Sequence, residues 1–267
     1  MLVAADGRFE GSVSGGCVEG EVLTSAAAVI ASGDFRRLRY GVADAAAWEV
    51  GLPCGGEIEV IVQPVSEAGF AASLFDRIAA SRQAGETLTL ATDLDRGTTG
   101  EQLAEGAFLN VYAPPRRLLI VGAVQIGQSL AALGGELGMA VTVIDPRSRF
   151  LTEERFPGVM LDDRWPDEAI ADARPDRATA IVTLSHDTKI DDPALAAALH
   201  SRAGYIAALG SRRSHAKRLE RLVEMGFGSA DLDRIEGPAG IHIGAISPAE
   251  IALSIAAGAV RALSGRE

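Results

Sequence analysis

RLLIVGAVQIGQSLAALGGELGMAVTVID, residues 117–145, contains one complete βαβ unit. Residues 117–121 are an apolar run of strand length. They enter a turn bounded by Gly122 and Gly127, and a helical pattern follows to about residue 137. Gly138 closes that helix, and the apolar residues 140–144 form a second strand ending in Asp145. An acid about 20 residues after the first glycine stands where a dinucleotide fold meets a ribose hydroxyl. The fingerprint departs from the pattern at its middle glycine, which is Val124 here. That glycine normally lets backbone approach a pyrophosphate, so the turn favours the fold more than nicotinamide binding. Gly122, Gly127 and Asp145 are the candidate cofactor contacts of this unit.

Outward towards the C-terminus, strands and helices alternate, as a doubly wound parallel sheet requires. Residues 179–184 form an apolar strand ending at Ser185-His186-Asp187, at the edge where such sheets present ligands. His186 is the candidate histidine; hydrogen bonding within a loop is its other reading. His200 and His215 read as helix-surface residues, and His242 as a loop residue. Pro193 is expected to open a helix to about residue 202. Residues 205–209 form the next strand, running into Gly210-Ser211-Arg212 and a helix to about residue 225. Ser211, Arg212 and the neighbouring amides suit a phosphate, because basic charge opposes the positive end of a helix unless an anion is near. Ser247-Pro248-Ala249-Glu250 is a capping box that starts the last helix, to about residue 263.

Outward towards the N-terminus, the informative stretch is GSVSGGCVEG, residues 11–20. A glycine-rich turn entering a helix points N–H groups at negative charge and stabilises a thiolate. Ser14, Gly15, Gly16 and Cys17 are therefore candidate cofactor contacts. Asp6-Gly7 before it marks a hairpin between residues 2–3 and 9–13. A helix is expected over 21–31, with Val18, Val22, Ala26 and Val29 on one face, and a strand over 35–42. Residues 43–50 fit helix or loop. In GLPCGGEIEVIVQP, residues 51–64, a second Gly-Gly pair flanks the second cysteine, making Cys54, Gly55 and Gly56 candidates, and residues 57–63 alternate as a strand. Core cysteines more often lie inside apolar runs, so the flanking glycines favour a paired-thiol site over packing. Residues 66–83 read as an amphipathic helix stopped by Gly85. Residues 86–93 and 107–112 read as strands with a loop or hairpin between them. The expected domains are 1–65, a connector at 66–115, and 116–267.

Composition bounds the function. The chain has 267 residues, 48% hydrophobic and 23% charged, which is ordinary for a globular protein of about two domains. The net charge of −11 argues against binding nucleic acid through its phosphates. There is no apolar run long enough for a membrane span and no secretory signal pattern. Two cysteines make no disulfide framework, and no spacing supplies four zinc ligands, so a reducing cytoplasm is the expected location.

These motifs together resemble the XdhC/CoxI family of accessory factors for xanthine dehydrogenase and carbon monoxide dehydrogenase. The resemblance rests on GSVSGGCVEG, GLPCGGEIEVIVQP, GAVQIGQSLA with VTVIDPR, TLSHDTKIDDPAL and IAALGSRRSHAKRL, in family order along nearly the whole chain. It implies an α/β fold: a C-terminal Rossmann-like doubly wound parallel sheet preceded by a smaller α+β N-terminal domain. It implies a cytoplasmic maturation factor, more a chaperone than a catalyst, that binds molybdenum cofactor (molybdopterin), supports its sulfuration and inserts it into an apo molybdenum hydroxylase. A cysteine desulfurase-type sulfur donor and a homodimer belong to the same expectation. Cys17 and Cys54 are the candidate metal or sulfur contacts, soft ligands for a soft site. That assignment requires the two thiols to meet at an amide-lined cleft. In the family a further helix and strand usually precede the first hairpin, so the expectation is either a reading frame that extends upstream of Met1 or a truncated member with an exposed sheet edge. An NAD(P)-dependent oxidoreductase using Asp145 for the ribose and His186 or a cysteine in the chemistry, and an adaptor that binds no cofactor, remain the competing readings.

Overall fold

The computed structural model describes residues 1–41, 57–102 and 105–264. The chain divides into two compact units, Met1–Pro114 and Pro115–Glu267.

The first unit begins with a short antiparallel hairpin, β1 (Leu2–Val3) and β2 (Phe9–Glu10). The second strand is shorter than its apolar pattern, because Gly11 takes φ +82° and turns the chain away. Helix α1 (Glu19–Ser32) packs Val22 and the preceding Val18 against the antiparallel pair β3 (Arg36–Tyr40) and β4 (Ile58–Val62). Helix α2 (Ser73–Ala84) starts later than the amphipathic pattern, which extends back to residue 66. Gly69 folds against Pro64, and the Phe70 N–H donates to the Pro64 carbonyl, so this stretch closes a turn instead. Phe70, Leu74 and Ile78 still share one apolar cluster, with Leu88 and Leu90. Those leucines lie on β5 (Leu88–Thr92), the centre of an antiparallel sheet with β6 (Thr99–Gly100) and β7 (Phe108–Tyr112).

The second unit is a parallel sheet with helices on both faces. In chain order it comprises β8 (Arg117–Val121), α3 (Gln125–Glu136), β9 (Ala140–Ile144), β10 (Met160–Asp162), α4 (Pro166–Ala173), β11 (Thr179–Thr183), α5 (Thr188–His200), β12 (Tyr205–Ala208), α6 (Arg212–Glu224), α7 (Ser229–Leu232), β13 (Ile235–Glu236) and α8 (Pro248–Leu263). The six strands lie in the order β10-β9-β8-β11-β12-β13, all parallel. Successive strands step outwards from β8 and then, after the crossover to β11, outwards on the other side. That reversal opens a switch point beyond the carboxyl ends of β8 and β11.

Strand residues alternate between two cores. Leu118, Ile120, Ala180 and Val182 face α3 and α8, while Leu119, Val121 and Ile181 face α4, α5 and α6. Runs apolar on every residue are what a sheet covered on both sides demands. Helix α5 corrects the expectation at Pro193. Asp187 caps it, its carboxylate accepting from the Lys189 N–H at 3.0 Å, and Pro193 sits inside the helix. The cap satisfies a free donor at the helix start and so fixes the start, while Pro193, inside the helix, forfeits one backbone bond. Helix α8 begins at its capping box, Ser247 and Glu250 satisfying each other's backbone. No helix among the described residues is long and apolar enough to cross a membrane.

Candidate functional site

The turn after β8 and the loop after β11 touch at the switch point. Gly122 is buried at φ +108°, and a Cβ there would stand 2.9 Å from the Ser185 nitrogen. Only glycine permits that conformation and that approach. A Cβ on Gly127 would stand 2.9 Å from the Gly122 carbonyl, so this glycine seats α3 against the turn. Val124 is the N-cap of α3, extended and without a side-chain cap. Both glycines therefore shape the turn, and the Ala123 N–H that follows is already engaged.

Its partner is Asp145. The Asp145 carboxylate is fully buried and accepts from the Ala123 N–H at 2.7 Å. It also accepts from the Arg147 N–H at 2.9 Å, from Nε at 2.8 Å and from Nη2 at 2.7 Å. Burial pushes this carboxyl up, but the Arg147 and Ala123 hydrogen bonds outweigh burial and hold it below the usual carboxylate range. The Arg147 guanidinium lies over the Phe150 ring, 4.9 Å from its centre. The acid at the ribose position is thus turned inward and saturated by its own chain.

Beyond β11, His186 is exposed and takes a left-handed backbone at φ 60°. Ser185 Oγ donates to Asp191 Oδ1 at 2.7 Å. Asp191 is 3% exposed; burial raises its carboxyl above the usual range, and the Ser185 hydrogen bond and the Arg218 charge offset this only in part. Beyond β12, Ser211 is the N-cap of α6 and accepts from the Ser214 N–H at 3.1 Å. Arg212 is exposed at the start of that helix. His215 departs from its surface reading. It is half-buried, its ring against Gly237, and burial and the Arg218 charge lower its basicity.

In the first unit the glycine-rich loop forms the expected concave ring of donors, but the ring is full. The Glu19 carboxylate accepts from the N–H groups of Val13 (3.0 Å), Ser14 (2.9 Å), Gly15 (3.1 Å), Gly16 (2.8 Å) and Val18 (3.2 Å). The Ser12 and Ser14 hydroxyls donate to it as well, at 2.6 and 3.0 Å. These bonds hold Glu19 well below the usual carboxylate range. Ser14, Gly15 and Gly16 accordingly serve the chain's own acid. Cys17 is a free thiol, half-buried, packed against the Val18, Val22 and Val60 cluster. Cys54, Gly55 and Gly56, and the helix-or-loop segment 43–50, lie outside the described residues.

Four side chains that engage these turns have no place among the residues expected from sequence: Glu19, Arg147, Asp191 and Arg218. Glu19 had a local signal, an acid within three residues of a Gly-Gly pair. Arg218 stands one helical turn before the buried Leu222, on the inward stripe of α6. Arg147 and Asp191 had no signal apart from their neighbours in space.

Comparison with known proteins fits this architecture. Residues 118–258 match the family description "XdhC Rossmann domain", and residues 1–41 match "XdhC and CoxI family". The chain belongs to the XdhC and CoxI family. Among its curated relatives, the Escherichia coli protein named molybdenum cofactor insertion chaperone PaoD is 31% identical over 96% of this chain and 75% of its own length. A Bacillus subtilis protein, named as a probable xanthine dehydrogenase subunit, is 24% identical over 96% of this chain and 85% of its own. A crystal structure from Bacillus halodurans, described as a xanthine dehydrogenase, superposes with a TM-score of 0.82 at 23% identity, covering 99% of this chain and 86% of that one. That likeness establishes a shared fold for this XdhC and CoxI member.

Proposed function

We propose that this chain binds molybdenum cofactor and inserts it into an apo molybdenum hydroxylase of the xanthine dehydrogenase type. The likeness to an insertion chaperone across 96% of the chain carries the reading. The site geometry supports it by disfavouring the alternative. Asp145, the residue an NAD(P) oxidoreductase would need for a ribose, is saturated by Arg147 and Ala123. The turn that would approach a pyrophosphate carries Val124.

The residues present fit the cargo in part. Its phosphate suits Ser211 and Arg212 at the head of α6, where no acidic side chain competes in the first turn. The rest of the cofactor is placed at the switch point, beside the exposed His186, over the turn that the buried Gly122 and Gly127 shape. The amides of residues 13–16 do not fit a phosphate, because Glu19 fills them. Cys17 and Cys54 stay candidate soft donors to the metal or its sulfur, as a proposal for the first unit taken by itself. When bound, the cargo supplies the metal and the dithiolene sulfurs. The chain binds and orients it and releases it to the client. Sulfuration with a cysteine desulfurase-type donor, a cytoplasmic setting and a homodimer belong to the same proposal.

Purification from cells that make molybdenum cofactor, followed by metal and pterin analysis, tests it. Molybdopterin is expected to copurify and to activate an apo hydroxylase on mixing. A preparation that contains neither pterin nor metal and still docks the client would establish the adaptor role instead. Replacing both Cys17 and Cys54 by Ser is expected to lower cofactor retention. Undiminished retention and client activation would remove the thiols from the site.

A further inference from the structure

The side chain that this reading leaves unused is Arg218. It lies on the second turn of α6 and is 4% exposed. A buried guanidinium stays charged and ordinarily carries a carboxylate partner. Among the described residues Arg218 makes no ion pair and its Nε has no hydrogen-bond partner, although the Asp191 and Asp192 carboxylates are near enough to favour its charge. The nearby acids are otherwise engaged. Asp192 takes the Arg221 guanidinium, at 2.9 Å from Nη2, and Asp191 takes the Ser185 hydroxyl. Arg218 Nη2 donates to the Leu209 carbonyl at 2.8 Å, and Nη1 stands 3.5 Å from His215 Nδ1.

The guanidinium also lies directly against the turn between β12 and α6. A Cβ built on Gly210 would stand 3.7 Å from Arg218 Nη2 and 3.3 Å from Ser214 Cβ. Gly210 has φ +143°, so the turn keeps a residue with no side chain where the cation approaches. Immediately above, α6 opens with Arg212 and Arg213, both exposed, on the positive end of its dipole. The Ser211 and Ser214 hydroxyls, 2.9 Å apart, are exposed beside them. Three cations therefore gather around a helix start that holds no acid, one of them buried with an unused donor. Of the helix starts in the parallel-sheet unit, this one joins a sheet's carboxyl edge, where ligands bind, to a buried cation.

We infer that the β12–α6 turn is a phosphate-monoester site, with Arg218 as its buried cation and the α6 amides, Ser211 and Arg212 as its outer contacts. Naming the source of the phosphate rests on the proposed function: the terminal phosphate of molybdopterin is one source, free phosphate or another phosphate ester the other. The test is phosphorus NMR titration of inorganic phosphate into the purified full chain, alongside molybdopterin retention. Arg212→Gln is the variant least able to disturb folding, and Arg218→Gln removes the buried charge. Circular dichroism checks that each folds. Each is expected to weaken phosphate binding, Arg218→Gln by about ten- to a hundredfold, the worth of a charged hydrogen bond. If molybdopterin retention falls with it, the cofactor's phosphate is the occupant. If phosphate binding falls while retention holds, the phosphate site stands with another ester as its ligand. If the wild type binds phosphate but never molybdopterin, the insertion reading fails and this one survives. Phosphate binding unchanged in both folded variants, or absent from the wild type, overturns the inference.

Discussion

Asp145→Ala is the sharpest perturbation of the switch point. The substitution leaves four donors without an acceptor: the Ala123 N–H, and the Arg147 N–H, Nε and Nη2. Breaking a buried pair by removing one partner costs about 3–5 kcal/mol. Arg147 is 37% exposed, so its guanidinium regains water once freed, which lowers the expected loss to about 2–4 kcal/mol. For a unit of this size the thermal midpoint then falls by about 4–16 °C. Asp145→Asn keeps an acceptor for Ala123 and is expected to lose about half as much. The sign with pH follows from the lowered carboxyl. The contribution is complete above the unfolded value of about 3.9 and disappears as pH falls through the folded value. Wild type and Asp145→Ala should therefore differ by a constant amount towards neutrality and converge only as pH falls below about 3.9. Urea unfolding followed by far-ultraviolet circular dichroism between pH 3 and pH 7 measures this. A double cycle with Arg147→Met isolates the pair. A loss under about 1 kcal/mol at neutral pH, the range of an ordinary surface change, would refute the inward role of Asp145. So would tight NADH binding by the wild type that Asp145→Ala abolishes.

Gly122→Ala forces a Cβ to within 2.9 Å of the Ser185 nitrogen at φ +108°, and is expected to cost about 1–3 kcal/mol of unfolding free energy in the same assay. Glu19→Gln should quicken amide hydrogen exchange at residues 13–16 without altering exchange in the parallel sheet; unchanged exchange in the loop would show that the carboxylate does not hold it. Because Glu19 is held low, the wild-type loop should keep its protection as pH falls through the ordinary glutamate range, about 4.3, and lose it only in stronger acid. Tyr205→Phe removes a 2.6 Å hydrogen bond to Glu236, which also accepts from the Gly240 N–H, and should destabilise by about 1.5–3 kcal/mol on urea unfolding. Leu222→Ala, at a fully buried position, should cost about 2–5 kcal/mol.

The parallel-sheet unit was largely legible from residues 117–263. Its strands read as apolar runs, and its helix ends carried Gly138 and the Ser247 capping box, signals that act within a turn or two of chain. The elements over 117–121, 140–144 and 248–263 agree with the pattern to the residue. The N-terminal unit was less legible. Its strands are short, and its helix starts depend on contacts such as Gly69 against Pro64, which a periodicity cannot register. Pro193 misled for a related reason. A proline favours a first turn, yet the Asp187 cap lies six residues earlier and fixes the start.

Local sequence, then, determined the doubly wound fold, its family and the places where glycine turns meet helix starts. Tertiary structure alone decided which groups those turns serve. An amide ring accepts any carboxylate or phosphate of the right size, and Glu19 fills the one at residues 13–18. An acid at a strand end faces a ribose or an arginine with equal ease, and Arg147 takes Asp145. The stripe of α6 places Arg218 on the inward side, but which groups its guanidinium meets is decided only when the strands and turns around it close. Donor and acceptor chemistry is written in residue types, but the pairing depends on distances between segments far apart in the chain, and those exist only once the core has packed.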